Sequence, residues 1–153
     1  MANGGIIGPV NVTSRGKNTI TSKTSTGTVT TQPGTRLART LVVAGGGGGG
    51  VNGGGGGGAG GFRDISNISV CGNTSYTMTV GGGGNSCYPT SSSGTNSVAF
   101  ACTPISITSA GGGRGAGSET GNATGGSGGG ASGHPSGTKT GAAGNTPPVS
   151  PPQ

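Results

Sequence analysis

Residues 41–64 read LVVAGGGGGGVNGGGGGGAGGFRD, and no other segment constrains the architecture as strongly. A short apolar run, residues 41–43, leads into six glycines, and six more follow the Val51-Asn52 pair. A continuous apolar run of this kind is typical of a strand covered on both faces. Glycine costs about 1 kcal/mol per helical position relative to alanine, so the runs exclude an α-helix.

Strand-like segments flank the glycine runs on both sides. Tyr76 and Met78 alternate with threonine, which is the period-two pattern of a half-buried strand. Residues 11–35 have β-branched strand chemistry on a polar background. Gly72-Asn73 predicts a hairpin turn between its flanking strands, and Pro33-Gly34 predicts another turn. The predicted strands are residues 37–44, 65–70, 75–80, 97–101 and 105–108.

The composition excludes most protein classes. Glycine supplies 41 of 153 residues, and only 26% of the residues are hydrophobic, so a well-filled enzyme core is not expected. The irregular glycine spacing excludes collagen, which needs glycine at every third position. Two acids and one histidine leave almost no acid-base chemistry, so we expect no enzymatic activity, catalytic residue or cofactor. Disorder is the alternative, and it is favoured for the last third of the chain.

The glycine runs have two possible roles. Glycine can form polyproline-II-type helices with three residues per turn, which pack side by side and bond through their free N–H and C=O groups. Six residues then span about 19 Å. In such packing we expect one residue in three to reject a Cβ atom, with Gly45, Gly48, Gly53 and Gly56 as helix residues. Flexible linkers are the alternative, and beyond residue 120 they are favoured.

The charge and the cysteines limit the partners. The formal net charge of +6 comes from a scarcity of acids and not from a basic cluster, so nucleic-acid binding is not expected. No apolar run approaches a membrane span, and no secretory signal is visible, which favours a cytosolic origin. Cys71, Cys87 and Cys102 are expected as free, partly buried thiols, with one intrachain pair as the second possibility. Their spacing and His134 do not support a zinc site.

Three quoted stretches carry a family resemblance. TLVVAGGGGGG at residues 40–50, GGAGGFR at 57–63 and YTMTVGGGG at 76–84 resemble the glycine-rich domain of bacteriophage tail-fibre and other virion proteins. MANGGIIGPVN at residues 1–11 is similar to N-terminal arms of such proteins in marine and cyanobacterial phages. The glycine-rich part is also similar to T-even-type phage adhesins and to a domain of anaplastic lymphoma kinase.

The resemblance implies a mainly β protein with packed polyglycine helices and no α-helix. It implies an extended docking arm at residues 1–35, a β/glycine-rich domain at 36–133 and an irregular tail at 134–153. The expected role is a virion tail-fibre or appendage protein, assembled in the host cytoplasm as a homotrimer with other virion proteins as partners. The expected docking residues of the arm are Ile6, Ile7, Pro9, Arg15 and Lys17.

The alternatives are a receptor-binding adhesin and a non-viral extracellular glycine-rich protein. For the adhesin, the candidate contact loops are Val51-Asn52, residues 85–95 and residues 115–123. Asn52 and Tyr88 are the candidate surface contacts, and a host surface receptor is the possible partner.

Overall fold

The computed structural model describes residues 19–153. These residues contain six β-strands and no α-helix, so the prediction of a mainly β protein is confirmed. Three of the glycine runs, at residues 45–50, 81–84 and 111–113, begin soon after a strand ends, as the sequence predicted. The strands are β1 (Gly27–Thr30), β2 (Leu37–Val43), β3 (Phe62–Ser69), β4 (Ser75–Thr79), β5 (Ser97–Ala101) and β6 (Ile107–Ser109).

The strands form two antiparallel sheets, one of four strands in the order β1-β4-β5-β6 and one of two strands, β2-β3. The turn at Gly72-Asn73 is present, but the predicted hairpin is wrong because β3 and β4 belong to different sheets. The turn is a corner, and β4 pairs instead with β1 and β5. Between Ala38 and Thr40 the β2-β3 register shifts, and Asn67 in the bulged strand has φ 58°.

A small apolar core lies between the sheets. Val42 of β2 and Ile68 of β3 pack there with residues of the four-stranded sheet. Tyr76 and Phe100 make an edge-to-face contact with ring centroids 5.3 Å apart. The Tyr76 hydroxyl accepts a hydrogen bond of 2.9 Å from the Cys71 amide, so the one polar atom of this ring is satisfied. The remaining buried core residues are Val70, Ala99 and Ile107.

The two glycine runs form a hairpin that continues β2 and β3. Its bonds are Ala44 N to Gly61 O, Gly47 N to Gly58 O and Gly50 N to Gly55 O, at 3.0, 2.8 and 2.7 Å. Each bond lies three residues from the next on both strands of the hairpin. A β ladder repeats every two residues, so this spacing differs from the pairing in the sheets.

A third glycine segment, residues 110–117, lies against this hairpin and is almost entirely buried. Gly55, Gly58 and Gly61 donate to the carbonyls of Ala116, Gly113 and Ala110, again at steps of three. Ala116 is fully buried. The backbone groups of this central segment therefore bond to its neighbours and not to water.

Residues beyond 120 join the same layers, so the linker interpretation for that part is wrong. Ser127 N donates to Ala59 O, and Gly130 N donates to Gly56 O. The irregular tail also lies against the domain, where Gln153 accepts a 2.7 Å bond from the Ala110 amide. The three-residue repeat is the one that polyproline-II-type packing requires, while the helical conformation itself stays a prediction.

The expected tolerance to side chains needs correction. A Cβ atom on Gly45, Gly47, Gly48 or Gly50 would lie about 2 Å from a backbone oxygen of another segment, whereas one on Gly46 or Gly49 would have 3.7 Å. Two glycine positions in three therefore have no room for a Cβ atom, instead of the expected one in three. The reason is that each run contacts neighbours on several sides and leaves one side to solvent.

The cysteines also differ from expectation. Cys71, Cys87 and Cys102 are free among the residues described, as predicted, but all three are exposed and none is partly buried. The predicted partial burial is wrong for Cys71 and Cys102 because both follow the end of a strand, where the chain leaves the core. Cys102 has φ 62° at that point.

Candidate functional site

The predicted docking residues Ile6, Ile7, Pro9, Arg15 and Lys17 lie outside the described residues. The candidate contacts Asn52 and Tyr88 lie within them, as do the four glycines chosen as helix residues. Gly45 and Gly48 are in close backbone contact, Gly56 has open space where a Cβ would be, and Gly53 has φ 70° in a turn.

Asn52 lies at the tip of the glycine hairpin. Its φ of 53° is in the left-handed region, which asparagine tolerates better than most residues and which the tight reversal requires. The Asn52 Nδ2 atom donates to Ser118 Oγ at 3.4 Å, and the Ser118 amide donates to the Val51 carbonyl at 3.3 Å. The structure thus brings together two of the three predicted contact loops, Val51-Asn52 and 115–123.

A further loop, residues 132–138, lies beside these two contact loops, and it was not predicted from the sequence. The Gly133 amide donates to the Gly53 carbonyl at 2.8 Å, and Ser136 Oγ donates to the Ser118 carbonyl at 3.4 Å. His134 Nδ1 is hydrogen-bonded to Ser136 Oγ at 2.8 Å. The only sequence signal was the His134-Pro135 pair in a glycine-serine background, and composition alone cannot place such a loop.

Tyr88 lies on a small loop beside the same hairpin. Ser86 and Ser91 form an isolated antiparallel bridge at the base of this loop, and Ser86 Oγ donates to the Gly49 carbonyl at 2.8 Å. Tyr88 is 65% exposed. We call the turn 51–53 with the loops 85–91, 117–121 and 132–138 the loop end, because it lies at the end of the glycine hairpin remote from the strands.

A shallow polar cavity of about 120 Å³ opens at the loop end between residues 117–121 and 136–138. Thr120 Oγ1 is buried there and has no hydrogen-bond partner among the described residues. Glu119, Ser136 and Thr138 also line the cavity. These groups can donate and accept hydrogen bonds, so the chemistry of the loop end suits the recognition of a polar surface.

The opposite end carries an ion pair. Arg39 of β2 and Asp64 of β3 lie diagonally across the two-stranded sheet and make a bidentate contact, with Arg39 Nε 2.9 Å from Asp64 Oδ1. The hydrogen bond from Arg39, with its charge, lowers the pKa of the Asp64 carboxyl below its ordinary value. The same contact raises the pKa of Arg39.

The side chains of residues 19–153 form no cluster of three or more potential metal ligands. None of the described segments is a helix of the length and apolarity needed to cross a membrane.

Comparison with known proteins gives one family. No curated protein and no solved structure matches the chain. The glycine-rich domain family matches residues 21–149, which include all six strands and all the long glycine runs. The chain therefore belongs to the glycine-rich domain family.

Proposed function

We propose that this chain is a structural protein of a bacteriophage virion, a tail-fibre or appendage component that docks to the particle through its N-terminal arm. The observation that carries the proposal is the cross-bonded glycine layer. Successive segments bond backbone to backbone, and most of their glycines have no room for a Cβ atom. Such packing suits a protein whose task is to hold its two ends apart. The resemblance of residues 1–11 to phage N-terminal arms supports the docking role.

A rigid spacer needs resistance to bending, and the bonding pattern supplies it. The central segment bonds to the hairpin and to residues 126–130, so its position is determined from several sides. Bending the spacer would break several of these bonds together, and each contributes about 1 kcal/mol. With the predicted polyproline-II-type rise, six glycines would hold the loop end roughly 19 Å from the strands.

Deleting residues 1–17 tests the docking role. We expect the variant to fold but to be missing from assembled particles, because the docking arm is lost and the glycine layer is intact. Substituting Tyr88 with serine is the control, since Tyr88 lies on the loop end and its change is expected to leave incorporation normal. Normal incorporation of the deletion variant would contradict the assignment.

The predicted homotrimer is tested separately by light scattering on the purified chain. The expected mass is about three times the 14.0 kDa of one chain, in line with the resemblance to phage fibres. A monomer at concentrations well above those used for particle assembly would contradict the trimer.

A receptor-binding adhesin is the second candidate, and the convergence of the candidate loops favours it. Asn52 and Tyr88 lie 36 positions apart in the sequence, yet both belong to the loop end. We expect alanine at both positions to leave particles assembled while reducing adsorption to the host severalfold. Alanine at Thr28, an exposed residue of β1, is the control. Unchanged adsorption would contradict the adhesin role and would be compatible with a purely structural role in the virion.

A further inference from the structure

The two sheets differ in width, because one has four strands and the other has two. In the narrower sheet, β2 packs over β5 and β6 of the wider one. The inner faces of β1 and β4 therefore lack a full cover, and Val29 and Met78 are only half-buried. A groove runs along this gap, lined by β1, by β4 and by the edge of β2.

The edge of β2 that faces the groove is unpaired among the described strands. Val70 N donates to Arg36 O and Ala44 N donates to Gly61 O, so the even-numbered residues of β2 bond to β3. In an antiparallel ladder, the N–H and C=O groups of the alternate residues point away from the paired strand. The N–H and C=O groups of Arg39 and Leu41 are therefore directed to the groove and can pair with an added strand.

The rim of the groove is apolar and exposed. Leu37, Leu41 and Val43 of β2 are 61%, 57% and 53% exposed, and Phe62 beside them is 56% exposed. A strand added beside β2 would cover part of this rim with one set of side chains and Met78 with the other, because successive side chains of a strand alternate.

The charges at the groove select the occupant. Lys23, Arg36 and Arg39 line it with a single acid, Asp64, which is already paired with Arg39. At the groove, a second copy of the chain, with net charge +6 and two acids, is a poor match for these cations, so the proposed trimer would form through another surface. The chain's own residues 1–18 carry Arg15 and Lys17 and no acid, so they do not complement the groove either.

We propose that this groove binds an extended, acidic segment of another protein by β-strand addition along β2. Alternate apolar side chains of that segment pack on Met78 and Val29, and its carboxylates face Lys23 and Arg36. Main-chain bonds to β2 supply affinity, while the charges exclude basic segments. The groove residues that carry this proposal lie at positions 23–78, whereas the proposed docking residues lie at positions 6–17, so the failure of either proposal leaves the other standing.

The test uses the full chain and blocked peptides of about eight residues, the length of a long strand. One peptide alternates valine with glutamate, and the other alternates valine with lysine. We expect the glutamate peptide to bind at least about tenfold more tightly at low salt, with the difference shrinking as salt screens the charges. A glutamate peptide with alternate amides methylated, which cannot pair as a strand, is expected to lose binding.

Two variants locate the site. Leu41→Glu places a carboxylate on the groove rim and is expected to weaken the glutamate peptide about tenfold. Tyr88→Glu makes the same charge change at the loop end and is expected to have no effect. Leu37→Glu, at another exposed rim position, repeats the first test if Leu41→Glu fails to fold.

Three outcomes would overturn the proposal. The first is equal binding of the two peptides, or equal effects of Leu41→Glu and Tyr88→Glu. The second is binding only after residues 1–17 are deleted, which would make the arm the occupant. The third is a dimer whose dissociation is required for peptide binding, which would make a second copy the occupant.

Discussion

Gly46 and Gly47 are neighbours with opposite surroundings, and they allow a residue-scale test. A Cβ atom on Gly47 would lie 2.2 Å from the Gly113 carbonyl oxygen, while one on Gly46 would have 3.7 Å to its nearest neighbour. We expect Gly47→Ala to destabilise the protein by about 1–3 kcal/mol, as overpacking does. Gly46→Ala is expected to be neutral or to stabilise by up to about 1 kcal/mol through the unfolded state. Urea unfolding measures both, and equal effects would contradict the packing.

Asp64 is the residue that links stability to pH. Its pKa is lowered by Arg39, so the folded state holds the ionised carboxylate more strongly than the unfolded state does. The resulting stabilisation is present above the unfolded pKa and is lost as the pH falls through the folded pKa. The pair is exposed, so the effect is small.

We expect Asp64→Asn to lose less stability than the parent protein between about pH 7 and about pH 2, measured by urea unfolding. The chain has only two acids, so Glu119→Gln is the matched control and is expected to behave like the parent. An Asp64→Asn variant with the parent's full acid sensitivity would show that the ion pair does not contribute.

At the scale of elements, the glycine hairpin is distinguished from a linker by its amide protons. Gly47 N and Gly50 N donate across the hairpin, whereas Gly46 and Gly49 face outward in the three-residue repeat. We expect hydrogen exchange at Gly47 and Gly50 to be at least about a hundredfold slower than at Gly46 and Gly49. Uniformly fast exchange from residue 45 to 58 would identify a linker, and protection with period two would identify an ordinary β ladder.

The same elements bear on the predicted polyproline-II-type helices. An experimental structure would test them through φ near −75° or its mirror value and ψ near 145°. A helix with three residues per turn would produce the three-residue spacing of bonds, which links this prediction to the exchange pattern.

For the whole molecule, we expect the strands and the glycine layer to unfold together. β2 and β6 lead directly into glycine segments, β3 follows directly from one, and those segments bond to one another. Ile107→Ala in the core is expected to lower the free energy of unfolding by about 2–5 kcal/mol. The free energy that protects the Gly47 amide from hydrogen exchange is expected to fall by the same amount. Leu37→Ala, at an exposed position, is the control and is expected to change little. Protection of Gly47 that survives unfolding of the strands would indicate two independent units.

Much of the strand content could be predicted from local pattern. The alternation at Tyr76 and Met78 and the apolar run at residues 41–43 mark β4 and β2, because side-chain periodicity is a property of the chain itself. The absence of helix over the described residues follows from the glycine content. Tyr88 was correctly chosen as exposed, while the role of Asn52 in receptor contact stays a prediction.

The pairing of segments could not be predicted in this way. Glycine runs have no side chains to mark a register, so nothing in the sequence indicates that Gly58 bonds to Gly113 or that residues 132–138 reach Gly53. The number of neighbours around each run decides which glycines are closed to a Cβ atom, and that number belongs to the packed molecule. Composition therefore determined the kind of element, whereas the contacts between backbones decided their arrangement, because a hydrogen bond between two glycines depends only on where the fold brings them.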